Sequence, residues 1–385
     1  MRILVDYRPA LRERTGVGEY IHQLVRAYTA AHVDDELLLF TSSWKDRPAT
    51  TVEADTGARI VDWRIPVRIL NYLWHRREWP PAEQLAGPVD VAHSAHPLLM
   101  PVRRAAQVVT IHDLFFLDGA HETAAEIRRD YAALAASHAR RADAVITSTG
   151  YGRRQIVERL GVTPERIYIC PPGAPTWRTL GHAPNVPADG CILFVGTLEP
   201  RKNVGALLDA YTRVLGKRTA APPLVLAGRA TSAAADWLAR LERAPLAGHV
   251  RHLGYVPGNT REELYRSARV LVMPSLDEGF GLPALEAMSA GVPVIVSSRG
   301  SLPEVVGGAG AQVDPSDIAA LADALDRAVT DDRWATQAAE AGLARARTFT
   351  WAEAARTLRR AYVDALARHR AGIPRPVSQK RSEGR

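Results

Sequence analysis

Two carboxylates frame a glycine-rich loop in DEGFGLPALEAMSAGVPVI, residues 277–295. Glu278 and Glu286 flank Gly279, Phe280, Gly281 and Leu282. Pro283 suits the first turn of a helix, where a missing N–H costs nothing. The glycines let backbone amides approach a ligand closely. Free amides at a helix N-terminus favour an anion, phosphate above all. Carboxylates beside a phosphate would repel it, so the two glutamates need another partner. Sugar hydroxyls fit, because an ionised carboxylate accepts two of them in fixed geometry. Phosphate on the amides with a hydroxylated ring on either side describes a sugar nucleotide.

Other residues could serve the same chemistry. Arg201 and Lys202 follow the strand-like CILFVG and the turn TLEP. Adjacent cations there are placed to neutralise a departing diphosphate, where charge develops during transfer; a solvated helix start is the plainer alternative. In TGVGEY (15–20), Gly16 and Gly18 can bring amides to a phosphate or an acceptor hydroxyl. This is not the dinucleotide fingerprint, because residue 21 is Ile. An ordinary tight strand-to-helix turn would also use glycine. His112 and Asp113 end QVVTIHD. A lone histidine at a strand end is usually structural, but this one faces the expected cleft. The chain has no Asp-x-Asp triplet. Arg201 and Lys202 can supply a metal's charge, so metal independence is expected, with no cofactor beyond the donor substrate.

The elements that must position these residues alternate. RILVDY, ELLLFTS, ARIVDW, VDVAHS, QVVTIHD, DAVITS and RIYICPP read as strands, then CILFVG, PLVLAG, VRHLGYV, VLVMPS and VPVIVSS. Helical patterns such as 18–31 and 121–140 separate them. Short apolar runs each followed by a helix argue for α/β architecture with doubly wound parallel sheets. The pattern restarts near residue 190, after a stretch rich in proline and glycine. The expected organisation is two Rossmann-like domains, 1–172 and 190–350, joined by a linker at 173–189. An amphipathic helix at 351–369 follows, free to pack on either domain, and then a basic tail at 370–385. In open α/β sheets ligands sit beyond the carboxyl ends of strands, so the space between two such domains is the expected site.

Composition narrows the partners. The chain has 385 residues and a net charge of +7, and +4 of it lies in residues 370–385. That tail is expected to be disordered. The near-balanced body argues against nucleic acid. No run of apolar residues is long enough to span a membrane. MRILVDYRP reads as a strand rather than a signal peptide. Cys170 and Cys191 show no metal spacing and suit a reducing compartment, so a cytoplasmic location is expected; peripheral association at the inner membrane face is the alternative.

The second half resembles the retaining, nucleotide-sugar-dependent glycosyltransferases of family 4. FVGTLEPRKN (194–203), LAG (226–228), LGYV (253–256), PSLDEGFGLPALEAMSAGVPVI (274–295) and SLPEVVGGAG (301–310) carry the likeness. In the first half it is thinner: VDYRP, TGVGEY, LWHRREWP, VDVAHSAHPLLMP, TIHDL and ADAVITST. The resemblance implies a GT-B fold, two Rossmann-like domains facing across a cleft. It implies that Glu278 holds the donor sugar and Glu286 the ribose. Ser275 and the backbone of Gly279, Phe280, Gly281 and Leu282 would meet the diphosphate and sugar. Gly228, Tyr255 and Val256 would lie at the base, although turn and strand packing would account for the same residues. His112 would approach the donor sugar.

For transfer, the resemblance implies same-face substitution with the leaving phosphate as base. No carboxylate is clearly placed to act as a nucleophile, since Glu278 and Glu286 are committed to hydroxyls. TLEPRKN and LWHRREWP look most like bacterial GDP-mannose-dependent mannosyltransferases of polysaccharide assembly; a UDP-sugar donor is the alternative. The acceptor would be a glycan or a lipid-linked glycan. Residues 63–79 combine three Trp, one Tyr and the arginines Arg64, Arg68, Arg76 and Arg77. Such a stretch can dock at a membrane surface, or pack its aromatics inward and leave the arginines solvated, which is the simpler expectation. Rival readings are a nucleotide-sugar epimerase of the same fold, a non-catalytic binder and an NAD enzyme. The last lacks its glycine fingerprint, and a degenerate binder would be expected to lack Arg201, Lys202 or Glu278.

Overall fold

Apolar runs without polar alternation need cover on both faces, and parallel strands flanked by helices receive it. The computed structural model describes residues 1–11, 16–117, 131–177, 183–218 and 220–372. In β1 (Arg2–Asp6), Ile3 and Val5 enter one core while Leu4 enters another. β2 (Glu36–Ser42) divides its leucines in the same way. With β3 (Arg59–Trp63), β4 (Val91–Ser94), β5 (Ala106–Thr110), β6 (Ala144–Thr147) and β7 (Ile167–Ile169) they form a parallel sheet of order β3-β2-β1-β4-β5-β6-β7.

The second sheet repeats the plan. It holds β8 (Cys191–Val195), β9 (Leu224–Ala227), β10 (Val250–Gly254), β11 (Ala268–Met273), β12 (Val294–Ser297) and β13 (Ala311–Val313), in the order β10-β9-β8-β11-β12-β13. Ile192 and Phe194 face one core; Cys191 and Leu193 face the other. β13 has no counterpart among the expected strands. It is a three-residue run in a glycine-rich stretch, and its pairing with β12 supplies the extended structure that its own sequence does not announce.

The chain divides into two compact units, one of Met1–Gly173 with Thr350–Arg385 and one of Ala174–Phe349. Part of the basic tail (373–385), part of the 121–140 pattern (121–130), residues 178–182 and Thr15 lie outside the described residues. Described parts of the stretch read as a linker contact the second unit. Trp177 Nε1 donates to Ser289 Oγ (2.7 Å), and the Asn185 backbone N–H donates to Gly291 O (2.8 Å). Its prolines end the sheet pattern, while the Asn185 side chain donates to Tyr265 O (3.0 Å) on the second unit.

The C-terminal helix Trp351–Arg370 belongs to the first unit. Thr350 caps it by accepting from the Glu353 N–H. Ala354, Ala355, Leu358, Ala361, Tyr362 and Ala365 form its buried stripe, and the alanines let it lie close on the sheet. The Tyr362 hydroxyl is 2.7 Å from His93 Nδ1, and His93 Nε2 is 2.7 Å from Thr110 Oγ1. Burial pushes the His93 imidazole down to about 3, so this internal network is neutral at physiological pH. Leu358→Ala should therefore lower the stability of the first unit by about 2–4 kcal/mol, as for a fully buried leucine. Chemical denaturation reads this directly; a loss under about 1 kcal/mol would show that the helix is peripheral to the core.

Candidate functional site

Strand order in the second sheet reverses between β8 and β11. The carboxyl ends of the strands at such a reversal are where open α/β sheets bind ligands. After β8 the chain forms the short turn Pro200–Lys202 and then Asn203, held at φ 56°. Asn203 Nδ2 donates to Pro274 O (3.1 Å) and Pro315 O (2.8 Å). The Leu276 N–H donates to Arg201 O (2.8 Å). These bonds stitch the loop after β8 to the loop after β11.

Glu278 lies at the junction and is 5% exposed. Its Oε1 accepts from Lys202 Nζ (2.6 Å) and from Ser275 Oγ (2.7 Å). Its Oε2 accepts from Arg201 Nη1 (3.0 Å). Arg201 also donates to Asp277 O (3.0 Å) and Glu199 Oε1 (2.6 Å). Burial pushes the Glu278 carboxyl up; Lys202, Arg201 and Ser275 outweigh it and hold the group below its ordinary range. The two cations, expected on a diphosphate, also grip the carboxylate expected on the sugar. A charge this buried requires such partners.

Gly281 takes φ 97° and starts the helix Leu282–Ser289; a Cβ there would stand 2.4 Å from Leu302 Cδ2. Phe280 turns its ring into the core, edge-on to Phe349. Any ligand contact from Phe280 would therefore come from its backbone. Glu286, 8% exposed, has a different set of partners. Its Oε2 accepts from Tyr265 Oη (2.8 Å), and its Oε1 lies 3.4 Å from Arg261 Nη2. Gly228 has φ 154°, and a Cβ would stand 1.9 Å from Gly196 O, so close strand-end packing alone requires glycine there. Arg229 stacks over the exposed Tyr255 ring at 5.2 Å, and Val256 packs on the same core as Leu282. Along the sheet edge β10, β9, β8 and β11 thus present Tyr255, Gly228, the Arg201–Lys202 pair and Glu278 in order.

The sequence reading missed several of these neighbours. Ser301 is fully buried; its N–H donates to Glu278 O (3.2 Å), and its hydroxyl has no partner among the described residues. Tyr265 and Arg261 come from a polar helix, Gly258–Arg266, with no glycine signature to draw notice. Ser301 does begin one of the quoted motifs, which was a usable signal.

The first sheet reverses between β1 and β4. Gly16, at φ 49°, precedes the helix Val17–Ala31, and a Cβ there would meet nothing within 4 Å among the described residues. Gly18 is a packing glycine, since a Cβ would meet Pro9 O at 2.8 Å. His112 and Asp113 lie beyond the end of β5 rather than within it. Tyr20 packs edge-on to His112 at 5.0 Å. Burial pushes His112 down to about 4, and its Nε2 has no partner among the described residues. Burial thus keeps this imidazole neutral at pH 7. Asp113 Oδ1 accepts from the Phe115 N–H (3.3 Å) and shapes the turn. The VDYRP motif holds a further cluster. Asp6, fully buried, accepts from Arg8 Nε (2.8 Å) and Nη2 (2.7 Å), while Arg8 Nη1 reaches Asn71 Oδ1 (2.9 Å). His96 Nε2 stands 3.1 Å from Asp6 Oδ2.

Comparison with known proteins agrees with this geometry. Residues 14–178 match a family described as Glycosyltransferase Family 4, and residues 189–331 match one described as Glycosyl transferases group 1. The chain is 33% identical over 375 residues to O-antigen chain mannosyltransferase B of Escherichia coli, covering 91% of this chain and 96% of that protein. The chain belongs to the group 1, family 4 glycosyltransferases. Sucrose-phosphate synthase of Thermosynechococcus elongatus shares its fold with a TM-score of 0.74 at 22% identity, covering 95% of this chain and 99% of that one. HepE of Anabaena, solved with UDP and glucose, gives 0.70 at 18% identity, covering 94% and 98%. The fold is GT-B.

A glycosyltransferase of this kind moves a sugar from a nucleotide donor to an acceptor hydroxyl. The Glu278 cluster gathers a buried carboxylate and two cations in one contact group. Lys202→Met removes one cation from a buried carboxylate and should cost the second unit about 3 kcal/mol at neutral pH. Because the Glu278 pKa is depressed on folding, the stabilisation is present above the ordinary carboxylate range and is lost as pH falls through the depressed value. The difference between variant and wild type, read by urea denaturation, should therefore shrink below pH ~4. A difference independent of pH would contradict this ion pair's role.

Proposed function

We propose that this glycosyltransferase transfers a hexose with retention, by same-face substitution, to a glycan or lipid-linked glycan. The observation that carries the reading is the Glu278 carboxylate held by Lys202, Arg201 and Ser275 at the reversal of the second sheet. Glu278 would accept hydroxyls of the donor sugar, and Arg201 and Lys202 would take charge from the departing diphosphate. Glu286, oriented by Tyr265 and Arg261, would hold the ribose. The backbone of Gly279–Leu282 would meet the diphosphate, with Gly228, Tyr255 and Val256 at the base and Nε2 of His112 at the sugar. Asp113 and Gly18 already serve the turn and the packing, so Gly16 and His112 are the stronger candidates in the first unit. The leaving phosphate would receive the acceptor proton, and the protein would supply alignment and electrostatics. No metal is assigned a step.

Different observations support the two donors considered. HepE, which shares the fold, is solved with UDP and with UDP-glucose; this favours a UDP-sugar. The relative that matches along nearly the whole chain is a mannosyltransferase; this favours mannose, with GDP-mannose as the second reading. Calorimetric titration with UDP and GDP in EDTA separates them. Selective UDP binding supports the first reading, selective GDP binding the second, and failure of both to bind overturns the diphosphate site. Glu278→Gln should lower kcat by about 100-fold through lost alignment of the sugar while retaining nucleotide binding. Wild-type turnover in that variant would remove Glu278 from the reaction.

A further inference from the structure

Residues 63–79 do not bury their aromatics as a group. The helix Val67–Tyr72 has six residues and continues into a wider π-helical turn, Leu73–Arg77. Such a short segment can bury only one side. Leu70 and Trp74 fill that role, packing with Phe40 and Met100. Asn71 accepts from Arg8, and the Arg8 guanidinium stacks on the Trp74 ring at 4.9 Å. The stretch is thus fastened to the core from beneath. Its outer side presents Ile69 at 52% exposure, with Tyr72 and Trp79 each at 55%. Trp63 and Val67 are exposed as well. Trp63 is anchored by its ring N–H, which donates to Leu85 O (3.0 Å), so its outer edge is held in place.

Large apolar side chains rarely collect on a solvated surface without a partner. The charges show which partner fits. Arg64, Arg68, Arg76 and Arg77 are exposed among these aromatics. The stretch has one acid, Glu78, and it is paired with Arg141 at 2.5 Å. A dry protein interface depletes charge from its centre, whereas here cations alternate with rings along the segment. Trp and Tyr rings at headgroup depth with arginines reaching lipid phosphate match a bilayer interface. Position adds a second argument. Trp63 ends β3, and the exposed Trp44 stands just beyond β2, so the Trp63 end of the patch lies at the carboxyl edge of the first sheet. Asp6, His96 and His112 stand at or beyond strand ends on that same edge.

We propose that this face seats the protein on an anionic phospholipid surface, with Trp63, Ile69, Tyr72 and Trp79 entering the headgroup layer and the arginines binding lipid phosphate. The seating would bring the first sheet's site-bearing edge to the depth at which a lipid-linked acceptor is presented. That purpose rests on the proposed acceptor class; the surface itself does not.

The test is cosedimentation of the full chain with vesicles of phosphatidylcholine alone and of phosphatidylcholine with phosphatidylglycerol. Binding to the anionic vesicles is expected, weakened by salt. Arg64→Glu with Arg68→Glu should reduce the partition coefficient by about tenfold or more. Ile69→Ser with Tyr72→Ser should reduce it on the same vesicles while nucleotide titration and the denaturation midpoint stay unchanged, which separates lost docking from lost folding. Failure of the wild type to bind anionic vesicles overturns the inference, as does equal binding by both double variants. Neither result touches the donor assignment, which nucleotide titration reads independently.

Discussion

A carboxylate cannot be buried alone, and Glu278 shows what its burial demands of the second unit. Lys202 and Arg201 must come from one strand end, Ser275 from the next, and the two loops must be held in register while they converge. Asn203 supplies that register by bonding to carbonyls of two other loops from a left-handed backbone position. Gly228 and Gly196 permit the close approach of neighbouring strand ends. The strand order that sets β8 beside β11 thus does two things. It completes the sheet, and it makes the two loops that meet at Glu278 into one electrostatic unit. In the proposed reading a diphosphate would compete with Glu278 for Lys202 and Arg201, because each cation already holds that carboxylate.

The first unit solves a different problem with neutral parts. His112 and His93 are both pushed down by burial and carry no charge at physiological pH. His93 spends both nitrogens on Tyr362 and Thr110, which ties the C-terminal helix to the middle of the sheet. His112 Nε2, beside Tyr20, has no partner among the described residues. The same residue type therefore serves structure in one strand and stays available one strand over. Beside these neutral groups, Asp6 and Arg8 form a charge pair whose bidentate geometry fixes the end of β1.

Much of this was legible in the sequence. Runs such as ELLLFTS read as strands because they are apolar on both faces, and the Glu278 loop declared itself through glycines between two acids. The contact between Lys202 and Glu278 did not, because it spans 76 positions and depends on strand order that periodicity cannot give. Tyr265 and Arg261 were missed for the same reason: they reach Glu286 from a helix whose own pattern is merely polar. β13 is too short to show a period. The aromatics of residues 63–79 were expected inside, on the usual behaviour of amphipathic helices. The helix proved too short to bury more than Leu70 and Trp74.

Lys202 and Arg201 hold Glu278 and, in the proposed function, would also meet the donor's diphosphate. The direct test is the affinity of whichever nucleoside diphosphate the wild type binds, measured in Lys202→Met and in Glu278→Gln. Sharing predicts that Lys202→Met binds it about tenfold more weakly or worse, whereas Glu278→Gln, freed of the competing carboxylate, binds it at least as tightly as the wild type. Unchanged affinity in Lys202→Met, or an equal loss in both variants, would contradict the account.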